Sequence, residues 1–245
     1  MREAALAARV RGLIDLTNLD GACTPASIEH LCARAVDHVP PVPAVCVWPA
    51  FVAQAVGQLR GSGVRVATVV NFPAGGTDVE ATVAETQAVL ADGADEVDLV
   101  LPYRAFLAGD VATSSAMVRA VRAVVPTPHH LKVILETGGY PSQAEVRAAA
   151  DLAVSEGADF VKTSTGKTDR SATPEAVRTL LEAIRDSGRP VGVKPSGGIR
   201  TLDDAAAYLA LADEVMGPTW ATAHTFRFGA SGLLDAVDAV LDGRT

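Results

Sequence analysis

The sequence predicts an α/β chain folded as a TIM (β/α)8 barrel, a single domain over residues 1–245. Three observations point there. Short apolar runs alternate with amphipathic stretches from end to end, the pattern of parallel strands joined by helices. Eight such runs fit into 245 residues, the size of one such barrel. The string GADEVD (93–98) returns as GADFVK (157–162), and LADEVM (211–216) follows the same pattern, as repeated αβ units would. An open doubly wound sheet is the competing arrangement. No GxGxxG follows the first strand, and no composition break marks a second domain, so the barrel is preferred.

The elements follow in order. LIDLT (13–17) is the first strand, and Thr24-Pro25 after it reads as an N-cap with proline at the first helical position. AVCVW (44–48) and RVATVV (65–70) are the second and third strands. Thr77 and Glu80 then have the spacing of a capping box. EVDLVL (96–101) and LKVILE (131–136) are the fourth and fifth strands, and Ser142 with Glu145 repeats the capping pattern. FVKTS (160–164) is the sixth, followed by Thr173-Pro174. VGVKP (191–195) is the seventh, followed by Thr201 with Asp203 and Asp204 at the positive end of a helix. EVMG (214–217) is the eighth strand.

Composition narrows the function. The chain is 49% hydrophobic and 20% charged, so it can build a large core. A net charge of -8 and a pI near 5.1 argue against a partner with a phosphate backbone, so no nucleic acid is expected. The three cysteines, Cys23, Cys32 and Cys46, have neither the spacing of a zinc site nor the even count of a disulfide framework. The N-terminal residues carry no long apolar block before a cleavage site. The longest apolar stretch, near residues 44–56, is interrupted by Pro49 and Gln54 and is too short to span a bilayer. The expectation is a soluble, cytoplasmic protein with no membrane partner.

Only four of the 21 basic residues are lysine: Lys132, Lys162, Lys167 and Lys194. They sit in or beside apolar strand-like runs, where a solvated cation does not belong. Side chains alternate along a strand. Val161 and Thr163 therefore face away from Lys162, and Val191 and Val193 away from Lys194. Val97, Leu99 and Leu101 likewise face away from Asp98. The valine and leucine faces belong under the helices, so Lys162, Lys194 and Asp98 point into the barrel. They converge near the C-terminal strand ends, where such barrels hold their chemistry. Two ammonium groups in one pocket depress each other's pKa, and burial acts the same way. A lysine neutral near pH 7 attacks carbonyls to give a Schiff base, while an aspartate beside it relays protons.

Anion recognition is the third element. Thr165, Gly166 and Lys167 follow the sixth strand. Gly197 and Gly198 follow the seventh, and Gly229, Ser231 and Gly232 precede the last helix. Glycines let backbone N–H groups approach a phosphate, and helix starts favour anions. The pattern asks for a substrate with a carbonyl at one end and a phosphate at the other. Lys132 is read as filling the barrel floor or pairing with an acid, Glu136 as supporting the site, and His129-His130 as a solvated loop. His30, His38 and His224 show no metal-ligand spacing.

The strings VDLVLPYRAFLAGD, LKVILETG, GADFVKTSTGK, VGVKPSGGIR and FRFGAS together resemble the deoxyribose-phosphate aldolases, a class I aldolase family. The resemblance runs from DLTNL (15–19) through CVWP (46–49) and ATVVNFPAG (67–75) to the final helix. It implies reversible cleavage of 2-deoxy-D-ribose 5-phosphate to acetaldehyde and D-glyceraldehyde 3-phosphate. Lys162 would be the Schiff-base lysine, Lys194 the lysine that depresses its pKa, and Asp98 the proton relay. Asp15 would be a further acid beside that relay. Thr17, Cys46 and Thr165 would line the substrate pocket, and Lys167, Gly197, Gly198, Ser231 and Gly232 would hold the phosphate. Some members have a serine where Gly232 stands here, and some end in a tyrosine that LDGRT lacks. The family implies no metal and no cofactor, small phosphosugar and aldehyde partners, and a plausible homodimer. The alternatives are another phosphosugar lyase or isomerase on this barrel, and a non-catalytic sugar-phosphate-binding barrel.

Overall fold

A computed structural model describes residues 2–244. Eight parallel strands alternate with the helices of the chain. The strands are β1 (Ile14–Asn18), β2 (Ala44–Val47), β3 (Arg65–Val70), β4 (Glu96–Val100), β5 (His130–Ile134), β6 (Phe160–Lys162), β7 (Gly192–Lys194) and β8 (Phe228–Ala230). From β1 to β7 each strand pairs with the next, and β1 also pairs with β8. Parallel bridges Val193 to Phe226 and Ser196 to Gly229 join the two ends of the sheet and close the barrel.

The helices are α1 (Arg2–Arg11), α2 (Pro25–Val36), α3 (Val52–Leu59), α4 (Val79–Ala91), α5 (Tyr103–Leu107), α6 (Val111–Val124), α7 (Gln143–Ser155), α8 (Pro174–Ser187), α9 (Leu202–Met216) and α10 (Leu233–Leu241). The start signals operate as caps. Thr24, Ser142, Thr173 and Thr201 each accept a hydrogen bond from the backbone N–H three residues on. One differs from expectation: Asp78, not Thr77, caps α4. Asp78 is also a strong N-cap residue, and one position is within the reach of such patterns.

Strand parity is as expected. Val97, Leu99, Leu131, Val133, Val161 and Val193 belong to the main core, under the helices. Facing them, α8 buries Val177, Leu180, Leu181 and Ile184, one stripe of a 3.6-residue period.

The eighth strand is corrected. Residues 214–216 are helical, within α9, and the strand lies at Phe228–Ala230. At GADEVD and GADFVK, Gly93 (φ 98°) and Gly157 (φ 99°) end the helix in the left-handed region, and a strand follows. LADEVM has leucine where that glycine should be. The helix therefore runs on to Met216 and stops at Gly217, φ 98°.

Candidate active site

The barrel interior has two kinds of wall. On β2 and β3, Cys46, Ala67 and Val69 form a small apolar cluster with Leu19, flanked by Trp48 and Phe72. The remaining strands, with Arg227 just before β8, bring in seven buried charged groups: Asp15, Glu96, Asp98, Lys132, Lys162, Lys194 and Arg227. Register sets the pairs. Lys162 lies opposite Lys194, and Asp98 opposite Lys132.

Asp98 is the hub. Its Oδ2 accepts hydrogen bonds from Lys162 Nζ at 2.7 Å and Lys194 Nζ at 2.9 Å, and its Oδ1 from Lys132 Nζ at 2.8 Å. Asp15 lies 2.6 Å from Lys194 and 2.5 Å from Arg227. Glu96 lies 2.6 Å from Lys132 and 3.2 Å from Arg227. Lys132 also reaches Asp15 at 3.5 Å. Lys132 thus faces three carboxylates, Lys194 two, and Lys162 only Asp98, which it shares.

That count explains the directions of the pKa shifts. Burial pushes all three amines down. For Lys132, Asp98, Glu96 and Asp15 outweigh burial and hold it well above the usual lysine range. For Lys194, Asp15 and Asp98 outweigh burial and raise it. For Lys162, burial is the largest influence, Asp98 only partly opposes it, and Lys194 pushes the same way as burial, so its pKa falls. The acids respond to the same field. Burial alone would raise Asp98 and Glu96, but the surrounding cations hold both well below the carboxylate range. Asp15 is lowered as well. Four bases and three acids fill this cluster, so with Lys162 charged the cations outnumber the acids by one.

A cavity of about 870 Å³ opens above Lys162. Thr17, Lys162, Thr165, Lys167, Gly197, Gly198, Ser231 and Gly232, all expected at the site, line it. Asp15, Asp98, Lys194 and Cys46 are fully buried and do not line it. Cys46 therefore differs from expectation. It packs in the apolar wall, and burial raises its thiol pKa, leaving a neutral core side chain.

The glycine turn that follows β7 has φ of 83° at Gly197 and 81° at Gly198. L side chains rarely adopt these angles, so glycine is what allows this turn. Gly232 is the N-cap of α10. Lys167 Nζ donates to Leu19 O at 2.6 Å and lies 5.9 Å from the Trp48 ring centre. Thr165 is held by Glu136, which accepts from its hydroxyl at 2.5 Å and its N–H at 3.3 Å. Glu136 does support the loop, from a left-handed backbone at φ 59°.

Other residues stand elsewhere than the sequence reading put them. His130 begins β5 and lies 3.3 Å from Glu96 instead of in a solvated loop. His38 meets Asp37 and Asp238 despite lacking any metal-ligand spacing. Arg11 ion-pairs with both aspartates, which accounts for the cluster without a metal. Arg227 was missed outright. The eighth strand was placed at 214–217, so FRFG had no parity from which to aim it inward.

Residues 10–236 match the profile of the DeoC/LacD family aldolases. The chain belongs to that family. It is 53% identical over 243 residues to the deoxyribose-phosphate aldolase of Agrobacterium fabrum, covering 99% of this chain and 93% of that relative. A solved structure from Coccidioides immitis, provisionally assigned to the same activity, is 32% identical, with a TM-score of 0.85 over 98% of this chain and 87% of its own. The deoxyribose phosphate aldolase of Aeropyrum pernix, described as a unique tetramer, superposes with a TM-score of 0.77 at 26% identity, over 97% of this chain and 92% of that one. No helix among the described residues is long and apolar enough to cross a membrane.

Proposed function

We propose that the chain is a class I aldolase that reversibly cleaves 2-deoxy-D-ribose 5-phosphate to acetaldehyde and D-glyceraldehyde 3-phosphate. The observation that carries this reading is the placement of Lys162, whose one carboxylate partner, Asp98, is shared with two other lysines, at the foot of a cavity lined by Lys167, Gly197, Gly198, Ser231 and Gly232.

Neutral Lys162 attacks C1 of the open-chain sugar and loses water to form an iminium. The C2–C3 bond breaks and its electron pair flows into the iminium, giving an enamine. As it breaks, Asp98 accepts the C3 hydroxyl proton through a water molecule and glyceraldehyde 3-phosphate leaves. A proton is unfavourable on a carboxylate held by the Lys132 and Lys194 ammonium groups, so Asp98 passes it on to C2 of the enamine. Hydrolysis of the new iminium frees acetaldehyde and Lys162. Lys194 and Asp15 keep Asp98 in place, while Thr17 and Thr165 contact the sugar. Lys167, Gly197, Gly198, Ser231 and Gly232 take the phosphate.

Homodimeric assembly and a cytoplasmic location belong to the same reading, and light scattering checks the former. Acetaldehyde release from 2-deoxy-D-ribose 5-phosphate, followed with a coupled alcohol dehydrogenase, tests the activity. Release from this sugar but not from ribose 5-phosphate supports it. Purified, folded protein that releases none contradicts it.

A further inference from the structure

Among the described residues, one buried polar atom of a cavity-lining side chain is left unsatisfied by the fold. Ser196 is 5% exposed and lines the cavity, yet its hydroxyl has no hydrogen-bond partner among the described residues. A buried hydroxyl without a partner is unfavourable, and a ligand that supplies the missing bond is one reason to keep it. Its backbone is held firmly. The Ser196 N–H donates to Thr163 Oγ1 at 3.0 Å, and the Thr163 hydroxyl donates to Ser196 O at 3.3 Å. Gly229, bridged to Ser196 across the barrel seam, leaves room for the hydroxyl. A Cβ there would stand 2.1 Å from Ser196 Oγ and 3.1 Å from Lys194 Cε.

Ser196 comes two residues after Lys194, on the same side of the chain, and directly before the Gly197-Gly198 turn. From floor to rim, this wall reads Lys194, Ser196, glycine turn. A 2-deoxypentose 5-phosphate bonded through C1 to Lys162 presents its groups in matching order: the C3 hydroxyl, the C4 hydroxyl, the phosphate. We propose that Ser196 is a substrate-binding residue that hydrogen-bonds the C4 hydroxyl, an assignment that rests on the aldolase reading above. In the condensation direction this is the hydroxyl beside the carbonyl of the acceptor aldehyde. Ser196 thereby favours acceptors that carry it.

The test compares the parent with Ser196→Ala, using acetaldehyde as donor and two acceptors. One is D-glyceraldehyde 3-phosphate. The other is 3-oxopropyl phosphate, which lacks the hydroxyl in question. The expected result is a loss of roughly tenfold in kcat/KM for the first acceptor and no loss for the second. Ser196→Cys, which fills the same space with a weak donor, gives the same selective loss. Equal losses for both acceptors, or a loss for neither, overturn the assignment. Borohydride reduction with acetaldehyde separates the two levels. An adduct on Lys162 in the parent and in Ser196→Ala, without acceptor discrimination, removes the role of Ser196 and leaves the aldolase standing. A folded parent that forms no adduct overturns both.

Discussion

The floor of the barrel and its mouth hold the same kind of side chain in opposite states. At the floor, Lys132 is fully buried and meets Asp98, Glu96 and Asp15. At the mouth, Lys162 is 3% exposed and meets Asp98 alone. Burial disfavours both charges equally in kind, yet one amine is held protonated and the other is pushed toward neutrality. The difference teaches that carboxylate supply, and not depth, decides which lysine is held charged. Lys194 stands between them and acts as a permanent cation, since Asp15 and Asp98 both hold it charged.

The largest effect comes from making the mouth resemble the floor. Lys162→Arg puts a permanent cation where the account needs a neutral amine. Its kcat/KM falls by about 10⁴-fold or more, measured as acetaldehyde release, while the protein stays folded.

A smaller effect comes from stripping the floor. Lys132→Met leaves Glu96 and Asp98 each short of a buried partner, and costs about 3 kcal/mol of stability in denaturant unfolding. It also removes a cation that opposes Asp98. The field of Asp98 then acts more fully on Lys162 and raises its pKa, so the acid limb of kcat/KM moves to higher pH. A limb that moves to lower pH contradicts this picture of Asp98 as a shared resource.

The smallest effect is the most discriminating one. Lys162→Met removes the amine that the fold disfavours charging and leaves three cations facing three acids. Its stability near neutral pH stays within about 1 kcal/mol of the parent, or rises. The sign with pH follows from linkage. The folded pKa of Lys162 lies below its ordinary 10.5, so in the window between them the unfolded chain binds more protons. The parent therefore gains stability as pH rises through that window, and the variant lacks that gain.

Much of this contrast was legible in the sequence, because strand parity alone separates Lys162, Lys194 and Asp98 from the valines beside them. Repeat length and the Gly-Ala-Asp echo were enough for the barrel. What escaped has physical causes. The echo at LADEVM lacks the left-handed glycine that ends a helix, so the last strand was set about a dozen residues too early. Arg227 was lost with it, and Arg227 neutralises Asp15 and Glu96 from the far side. Lys132 was seen as a floor residue or an acid's partner. Which acids it holds depends on how β1, β4 and β5 close around it, and no single strand reveals that. Ser196 escaped because an unsatisfied hydroxyl is a property of its surroundings.

The most direct test is residue-resolved trapping across pH. The protein is incubated with acetaldehyde and borohydride at several pH values, and the N-ethyl adducts are mapped by peptide mass spectrometry. The account predicts an adduct confined to Lys162 near neutral pH, falling as acid protonates that amine, with Lys132 and Lys194 unmodified throughout. An adduct on Lys194 or Lys132, or none on the folded protein, contradicts the claim that carboxylate supply singles out Lys162.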